Sequence, residues 1–335
     1  MSIDGSWAVA GDAAGTQLMI SVFDSSNSPV SGAQVTLECL DPLFGGVSSQ
    51  TFATDVNGLA ISAGSLPIFT PSTKSGTAAI RVVAVKNATI TDIYQQKIDH
   101  AIPYRYAFVN YPSEESVDSV VPIIVRMEDR YRNPVDNRRT AEQVRFIVGS
   151  PGNGAVFPAT GTASIVQNTD AAGNCTVLLR LSSIAGENLV MIAPPSTVGS
   201  VWITTIGTGG EPYSILQRFE PSDTPYPRIP ADGISQFTVA YTLLDRYGNP
   251  SVDRLVNVTT SLGEHATLGP TNALGQAKML YGKKTSIGLV TLSASSWGNP
   301  GAQCSQIVEF AESRATQMDL VASPTSMASL DANPA

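Results

Sequence analysis

The sequence predicts an all-β chain of tandem β-sandwiches arranged as an elongated rod. Three observations predict it: short runs of alternating apolar residues, turns rich in Gly, Pro, Asn and Asp between them, and self-similarity at a period of roughly 100 residues. At 335 residues the chain exceeds what one hydrophobic core usually organises, so several domains are expected. Charged residues make up 14% and hydrophobic ones 42%, with 28 Gly and 22 Pro, a balance that suits short strands and turns better than helices.

The repeats carry three markers, taken here in chain order within a copy. The first is an opening strand that closes on Pro-Ser or Pro-Thr. Pro103-Tyr104 through Tyr111-Pro112-Ser113-Glu114 matches Pro212-Tyr213 through Glu220-Pro221-Ser222-Asp223, and Ala315 through Pro324-Thr325-Ser326 has the same length up to its proline.

The second marker is an apolar strand ending in Asp and a turn that contains Pro. It appears as Asp24-Ser25-Ser26-Asn27-Ser28-Pro29, as Asp129-Arg130-Tyr131-Arg132-Asn133-Pro134 and as Asp245-Arg246-Tyr247-Gly248-Asn249-Pro250. Asp and Asn side chains hydrogen-bond their own backbone and Pro pre-sets φ, so this segment predicts a hairpin or a sheet-crossing turn.

The third marker is Thr54-Asp55-Val56-Asn57-Gly58, then Thr169-Asp170-Ala171-Ala172-Gly173, then Thr271-Asn272-Ala273-Leu274-Gly275. Gly at the last position permits φ > 0. Each copy then closes with a strand such as Ala79 to Val85, Glu187 to Ala193 or Gly288 to Ala294.

Several such strands per copy predict immunoglobulin-like sandwiches. Domain one is expected over residues 1–102 with a short or missing opening strand, domain two over 103–208 and domain three over 209–313. Residues 314–335 are expected to be the opening strand of an incomplete fourth repeat.

The order of these markers, together with Ala231-Asp232-Gly233 and Val290 to Ala294, resembles the bacterial Ig-like domains of the invasin and intimin group, often called Big-1. The third copy fits that pattern best. The second departs with Arg132 where Gly is usual, and the first with Ser28 in place of Asn. The resemblance implies a run of stacked modules on a prokaryotic surface protein, with adhesion or presentation of a distal domain as the role.

Charge and composition exclude other classes. A formal net charge of -8 argues against nucleic acid, which needs clustered Lys and Arg. The one basic cluster, Arg126, Arg130, Arg132, Arg138 and Arg139, is interleaved with Glu128, Asp129 and Asp136 and is expected to be a solvated face. No apolar run reaches the ~20 residues that cross a bilayer, and the N-terminus lacks a signal-peptide layout. No membrane contact within the sequence is expected, and any export signal or anchor is expected to lie outside it. Cys39, Cys175 and Cys304 fall one to a copy at different places, so no recurring disulfide is expected; Cys175 alternates in phase with Val177, Leu179 and Leu181 as a small core residue.

No catalytic, cofactor-binding or metal-binding residue is assigned. The chain has two histidines, His100 and His265, both expected in surface loops, and no Gly-x-Ser-x-Gly elbow. Gly207-Thr208-Gly209-Gly210 fits no phosphate-binding loop and reads as a linker. Cys and His are not at zinc spacing. Calcium at domain junctions would draw on Asp223, Asp232 and Asp245, but no Asp-x-Asp-x-Asp ladder accompanies them. The sequons at Asn87, Asn174 and Asn257 are given no function. Tyr104, Tyr106, Phe108 and Tyr111 are expected to pack in the core and between domains rather than to form a ligand platform. The expected function is a non-enzymatic, monomeric stalk or adhesin segment at the cell surface or outside the cell, whose partner is a protein or glycan on another surface. The alternative is a carbohydrate-binding accessory region of a secreted enzyme.

Overall fold

The computed structural model describes residues 1–149, 154–193, 198–221 and 226–312. Asp223 and the segment 314–335 lie outside them. The chain forms two compact units, Met1–Gly207 and Thr208–Ala335. Its described residues fold into strands without helices, and the strands pair in six sheets.

The first unit holds two sandwiches, each with its own core. The first sandwich contains β1 (Ser2–Gly5), β2 (Ala8–Val9), β3 (Thr16–Ser21), β4 (Gln34–Cys39), β5 (Gly45–Val47), β6 (Phe52–Thr54), β7 (Ala60–Ile61), β8 (Ile68–Pro71), β9 (Gly76–Val85) and β10 (Thr89–Asp99). One sheet has the order β1-β3-β8-β5 and the other β2-β10-β9-β4-β6-β7. Alternation decides which residues meet: Leu18 and Ile20 from β3 and Phe69 from β8 face Val35 from β4 and Ile80 and Val82 from β9, all fully buried. The opening strand β1 has 4 residues.

The second sandwich contains β11 (Pro103–Asn110), β12 (Glu114–Ser116), β13 (Val120–Asp129), β14 (Gln143–Val148), β15 (Ser164–Asn168), β16 (Asn174–Arg180), β17 (Gly186–Ala193) and β18 (Val201–Thr208). Its sheets run β11-β13-β16 and β12-β18-β17-β14-β15. Cys175 is buried in this core, and burial pushes its thiol up to about 12, so it stays protonated and inert at neutral pH. The register of β11 against β13 shifts between Pro103 and Arg105 and again between Tyr106 and Phe108. These irregularities break the alternation. Tyr106 and Tyr111 pack against the core as expected, whereas Tyr104 and Phe108 stand exposed on the surface.

In the second unit, β19 (Ser214–Glu220), β20 (Arg228–Pro230), β21 (Gln236–Leu244), β22 (Val256–Thr260), β23 (His265–Leu268), β24 (Gln276–Gly282), β25 (Gly288–Ser296) and β26 (Asn299–Ala311) form sheets β19-β21-β24 and β20-β26-β25-β22-β23. Phe219, Phe237, Tyr281 and Phe310 make a chain of edge-to-face aromatic contacts through its core.

The second and third sequence markers meet in space in every copy. The Asp turn closes with the same backbone bond three times, from the amides of Asp24, Asp129 and Asp245 to the carbonyls of Ser28, Asn133 and Asn249. Against it packs the Gly turn, whose carbonyl accepts from Val22, Met127 or Leu243. The marker's Thr is explained by the same contact: Thr54 Oγ1 donates to the Val30 carbonyl and accepts from the Ala33 amide, and Thr271 Oγ1 does so with Ser251 and Arg254. Arg132 adopts φ +70° at the place where Asn27 has +59° and Gly248 +85°, so the turn geometry is kept despite the departure from Gly.

Gly58 sits at φ +74°, and a methyl group on it would lie 2.5 Å from the Val22 carbonyl oxygen. Gly58→Ala is expected to destabilise the first sandwich by about 1–3 kcal/mol in urea unfolding. Gly46→Ala, with no atom within 4 Å of the added carbon, should change stability by less than about 0.5 kcal/mol.

Candidate functional site

A cluster of buried polar groups, Asp99, His100, Glu128, Asp129, Asn133 and Asp136, lies where the second sandwich meets the first, and the Asp129 turn builds it. Asp129 is fully buried. A carboxylate removed from water must be satisfied by donors, and this one has four: Oδ1 accepts from the Tyr131 and Asn133 amides at 2.8 and 2.9 Å, and Oδ2 accepts from Asn133 Nδ2 at 2.8 Å and from the Ala101 amide at 2.9 Å. Ala101 belongs to the link between the two sandwiches. One side chain therefore shapes the turn and fixes the linker.

The other turn residues reach into the first sandwich. Asn133 Nδ2 donates to the Thr73 carbonyl at 2.8 Å, and Asn133 Oδ1 accepts from the Ser75 amide at 3.0 Å. Tyr131 packs against the first core. Its phenol end lies over Gly11, where an added side-chain carbon would sit 2.3 Å from the phenol oxygen and 2.4 Å from Cε2. Arg130 stacks on Tyr131 with its guanidinium carbon 4.6 Å from the ring centre and hydrogen-bonds the phenol oxygen. Beside this contact a cleft of about 500 Å³ opens between Val9, Gly11, Ile102, Tyr104 and Arg130.

Placed in this setting, several sequence expectations change. His100 is a buried junction residue, not a surface loop residue: its relative exposure is 9%, its Nδ1 hydrogen donates to the Ala101 carbonyl at 2.7 Å, and its Nε2 lies 3.8 Å from Asp99 Oδ1. The next residue, Ala101, is tied by its amide to Asp129 of the second sandwich, which sets this stretch at the junction. His265 is exposed in β23. The arginine cluster is exposed at Arg130, Arg132, Arg138 and Arg139, as a solvated face would be, but three of its members, Arg126, Arg138 and Arg139, also lie beside buried acids. Arg105 and Arg126 flank Glu128 at 2.7 and 4.0 Å, Arg138 holds the fully buried Asp136 at 2.8 Å, and Arg139 lies 3.6 Å from Asp99. The paired letters Arg-Tyr in two of the three Asp turns were the available signal, since turn chemistry requires neither residue.

Two of the candidate calcium ligands, Asp232 and Asp245, accept hydrogen bonds from nearby donors, and Asp223 lies outside the described residues. Asp245 repeats the Asp129 pattern within the second unit: Oδ1 takes the Tyr247 and Asn249 amides, and Oδ2 takes Asn249 Nδ2 and, at 3.0 Å, the Gly210 amide. Asp232 accepts from the Ile234 and Ser235 amides and the Ser235 hydroxyl. These carboxylates are held by donors rather than shared with other acceptors, and among the described residues no three His, Cys, Asp or Glu side chains converge as a metal cluster.

No known sequence family and no curated protein matches the chain. Solved structures do. The adhesin FdeC of Escherichia coli superposes with a TM-score of 0.63 over 92% of this chain and 95% of its own, at 12% identity. InvD of Yersinia pseudotuberculosis gives a TM-score of 0.52 over 91% and 97%, at 13% identity. The chain has the tandem immunoglobulin-like β-sandwich fold that the resemblance to the invasin and intimin group implied.

Asn133→Ala removes three hydrogen bonds at the joint and leaves part of the Asp129 carboxylate bare. It is expected to lower stability by about 1–3 kcal/mol and to split the unfolding of the first unit into two transitions in calorimetry. A second expectation concerns pH. Burial pushes the Asp245 carboxyl up, but hydrogen bonds from the Asn249 side chain and the Gly210, Asn249 and Tyr247 amides outweigh it and hold the group below the ordinary carboxylate value. A depressed folded pKa contributes stability that is present above the unfolded value, about 3.9, and is lost as pH falls through the folded one. Asp245→Asn should therefore give a flatter profile of unfolding midpoint against pH below about 4 than the unaltered chain.

Proposed function

We propose that the chain is a non-enzymatic stalk segment of a cell-surface protein, in which immunoglobulin-like modules at 1–102, 103–208 and 209–313 stand in series, followed by the opening strand of a fourth. The observation that supports this most directly is the joint of the first unit. Asp129, Tyr131 and Asn133 commit one turn of the second sandwich to gripping the first and its linker. Such a grip holds modules in a fixed sequence and leaves their flanks to solvent. The likeness to an adhesin structure supports a part in cell adhesion, with a protein or glycan on another surface as partner.

The exposed pair Tyr104 and Phe108 favours a second reading, a glycan-binding surface on β11, because rings standing in water can stack on sugar faces.

Small-angle scattering tests the first reading. Three sandwiches of roughly 35–40 Å in series would span about 110 Å, and the radius of gyration should then lie well above the ~20 Å of a compact globule of this length. A compact particle would contradict it. Binding of the chain to a glycan array, lost in Tyr104→Ala with Phe108→Ala, would instead support the second.

A further inference from the structure

The joint of the first unit has two halves. The plug is the turn Asp129-Arg130-Tyr131-Arg132-Asn133-Pro134. The socket is Gly11, whose bare backbone receives the Tyr131 ring, with the Thr73 carbonyl and Ser75 amide that grip Asn133. Gly11 stands at φ +78°, and its amide donates to the Ser72 carbonyl at 2.8 Å, which sets it beside the segment that follows.

The second unit carries the same socket with nothing described in it. Gly233 stands at φ +75°, and its amide donates to the Lys284 carbonyl at 3.0 Å. The positions one and three residues beyond Lys284 are Thr285 and Ile287, as Thr73 and Ser75 are one and three beyond Ser72. Neither the Thr285 carbonyl nor the Ile287 amide has a hydrogen-bond partner among the described residues. A methyl group on Gly233 would meet only Thr285 Cγ2, at 3.2 Å, where Gly11 is covered by a tyrosine. Ile234, which follows Gly233, and Ile287 are 78% and 60% exposed, so the socket is flanked by apolar side chains that no described residue covers.

We infer that the end of the third sandwich formed by Gly233, Thr285 and Ile287 is a socket for the Asp-Arg-Tyr-x-Asn-Pro turn of another immunoglobulin-like module. This rests on the serial arrangement proposed above and names the partner of its last joint. The chain's own first module cannot supply the plug to a second copy. Its Asp24 turn keeps the backbone skeleton, with Oδ1 accepting from the Ser26 and Ser28 amides at 2.8 and 2.9 Å, but carries Ser25, Ser26 and Ser28 where the plug has Arg, Tyr and Asn. The first module therefore lacks the plug residues, and they can be restored there without rebuilding the turn.

The test grafts Ser25→Arg, Ser26→Tyr and Ser28→Asn onto the full-length chain and follows amide NMR shifts with protein concentration. Shifts of Gly233, Thr285 and Ile287 that grow with concentration in the grafted chain, are absent from the ungrafted one and vanish when Ile287→Asp is added would establish the socket. Folding of each variant is checked by its amide dispersion. A folded graft with no concentration dependence up to about 1 mM, or one whose shifts survive Ile287→Asp, would overturn it; so would association of the ungrafted chain through these residues. The two proposals fail separately. A compact scattering particle with these shifts present removes the stalk and keeps the socket, and an extended particle without them does the reverse.

Discussion

A carboxylate taken out of water has to find its hydrogen bonds inside the protein, and the second sandwich depends on how Asp129 finds them. Two of its four donors are amides of its own turn, one is the Asn133 side chain and one is the Ala101 amide of the linker. Leaving any of these unmade would cost on the order of 1–3 kcal/mol, so the turn and the linker are selected together. Asn133, held by that carboxylate, is then positioned to grip Thr73 and Ser75, and Tyr131 is swung onto Gly11. Local turn chemistry in this way becomes tertiary structure. Asp245 uses the same four kinds of donor around Gly210, which shows that the device belongs to the module rather than to one contact.

The arginines follow from the same constraint. Burying Glu128 and Asp136 beside Asp129 gathers negative charge in a place of low dielectric, and each acid has an arginine within 2.8 Å, Arg105 for Glu128 and Arg138 for Asp136. Pairs of this kind add little net stability but are costly to break singly, so they specify how the end of the sandwich is assembled.

Turn residues made much of the fold legible in the sequence. Asp, Asn, Pro and Gly at fixed offsets act through bonds to their own backbone, so Asp24, Asp55, Asp170 and Asn272 could be placed from spacing alone, and each makes the side-chain-to-backbone bonds that spacing implied. Alternation placed Cys175 in the core for the same local reason. The misses share the opposite character. His100 is buried next to Ala101, whose amide is bonded to Asp129, and spacing along the chain does not record that long-range contact. Tyr104 and Phe108 point outward because bulges in β11 break an alternation that letters alone cannot show broken. Tyr131 was legible only as a repeated letter that turn chemistry left unexplained.

Amide hydrogen exchange tests most directly whether the buried carboxylate holds the joint. If it does, the Ala101 amide, bonded to Asp129, and the Ser75 amide, bonded to Asn133, exchange as slowly as the amides of the strands beside them, and both become fast together in Asp129→Asn. Exchange of either amide at the rate of an unstructured peptide in the unaltered chain would contradict this account of the joint.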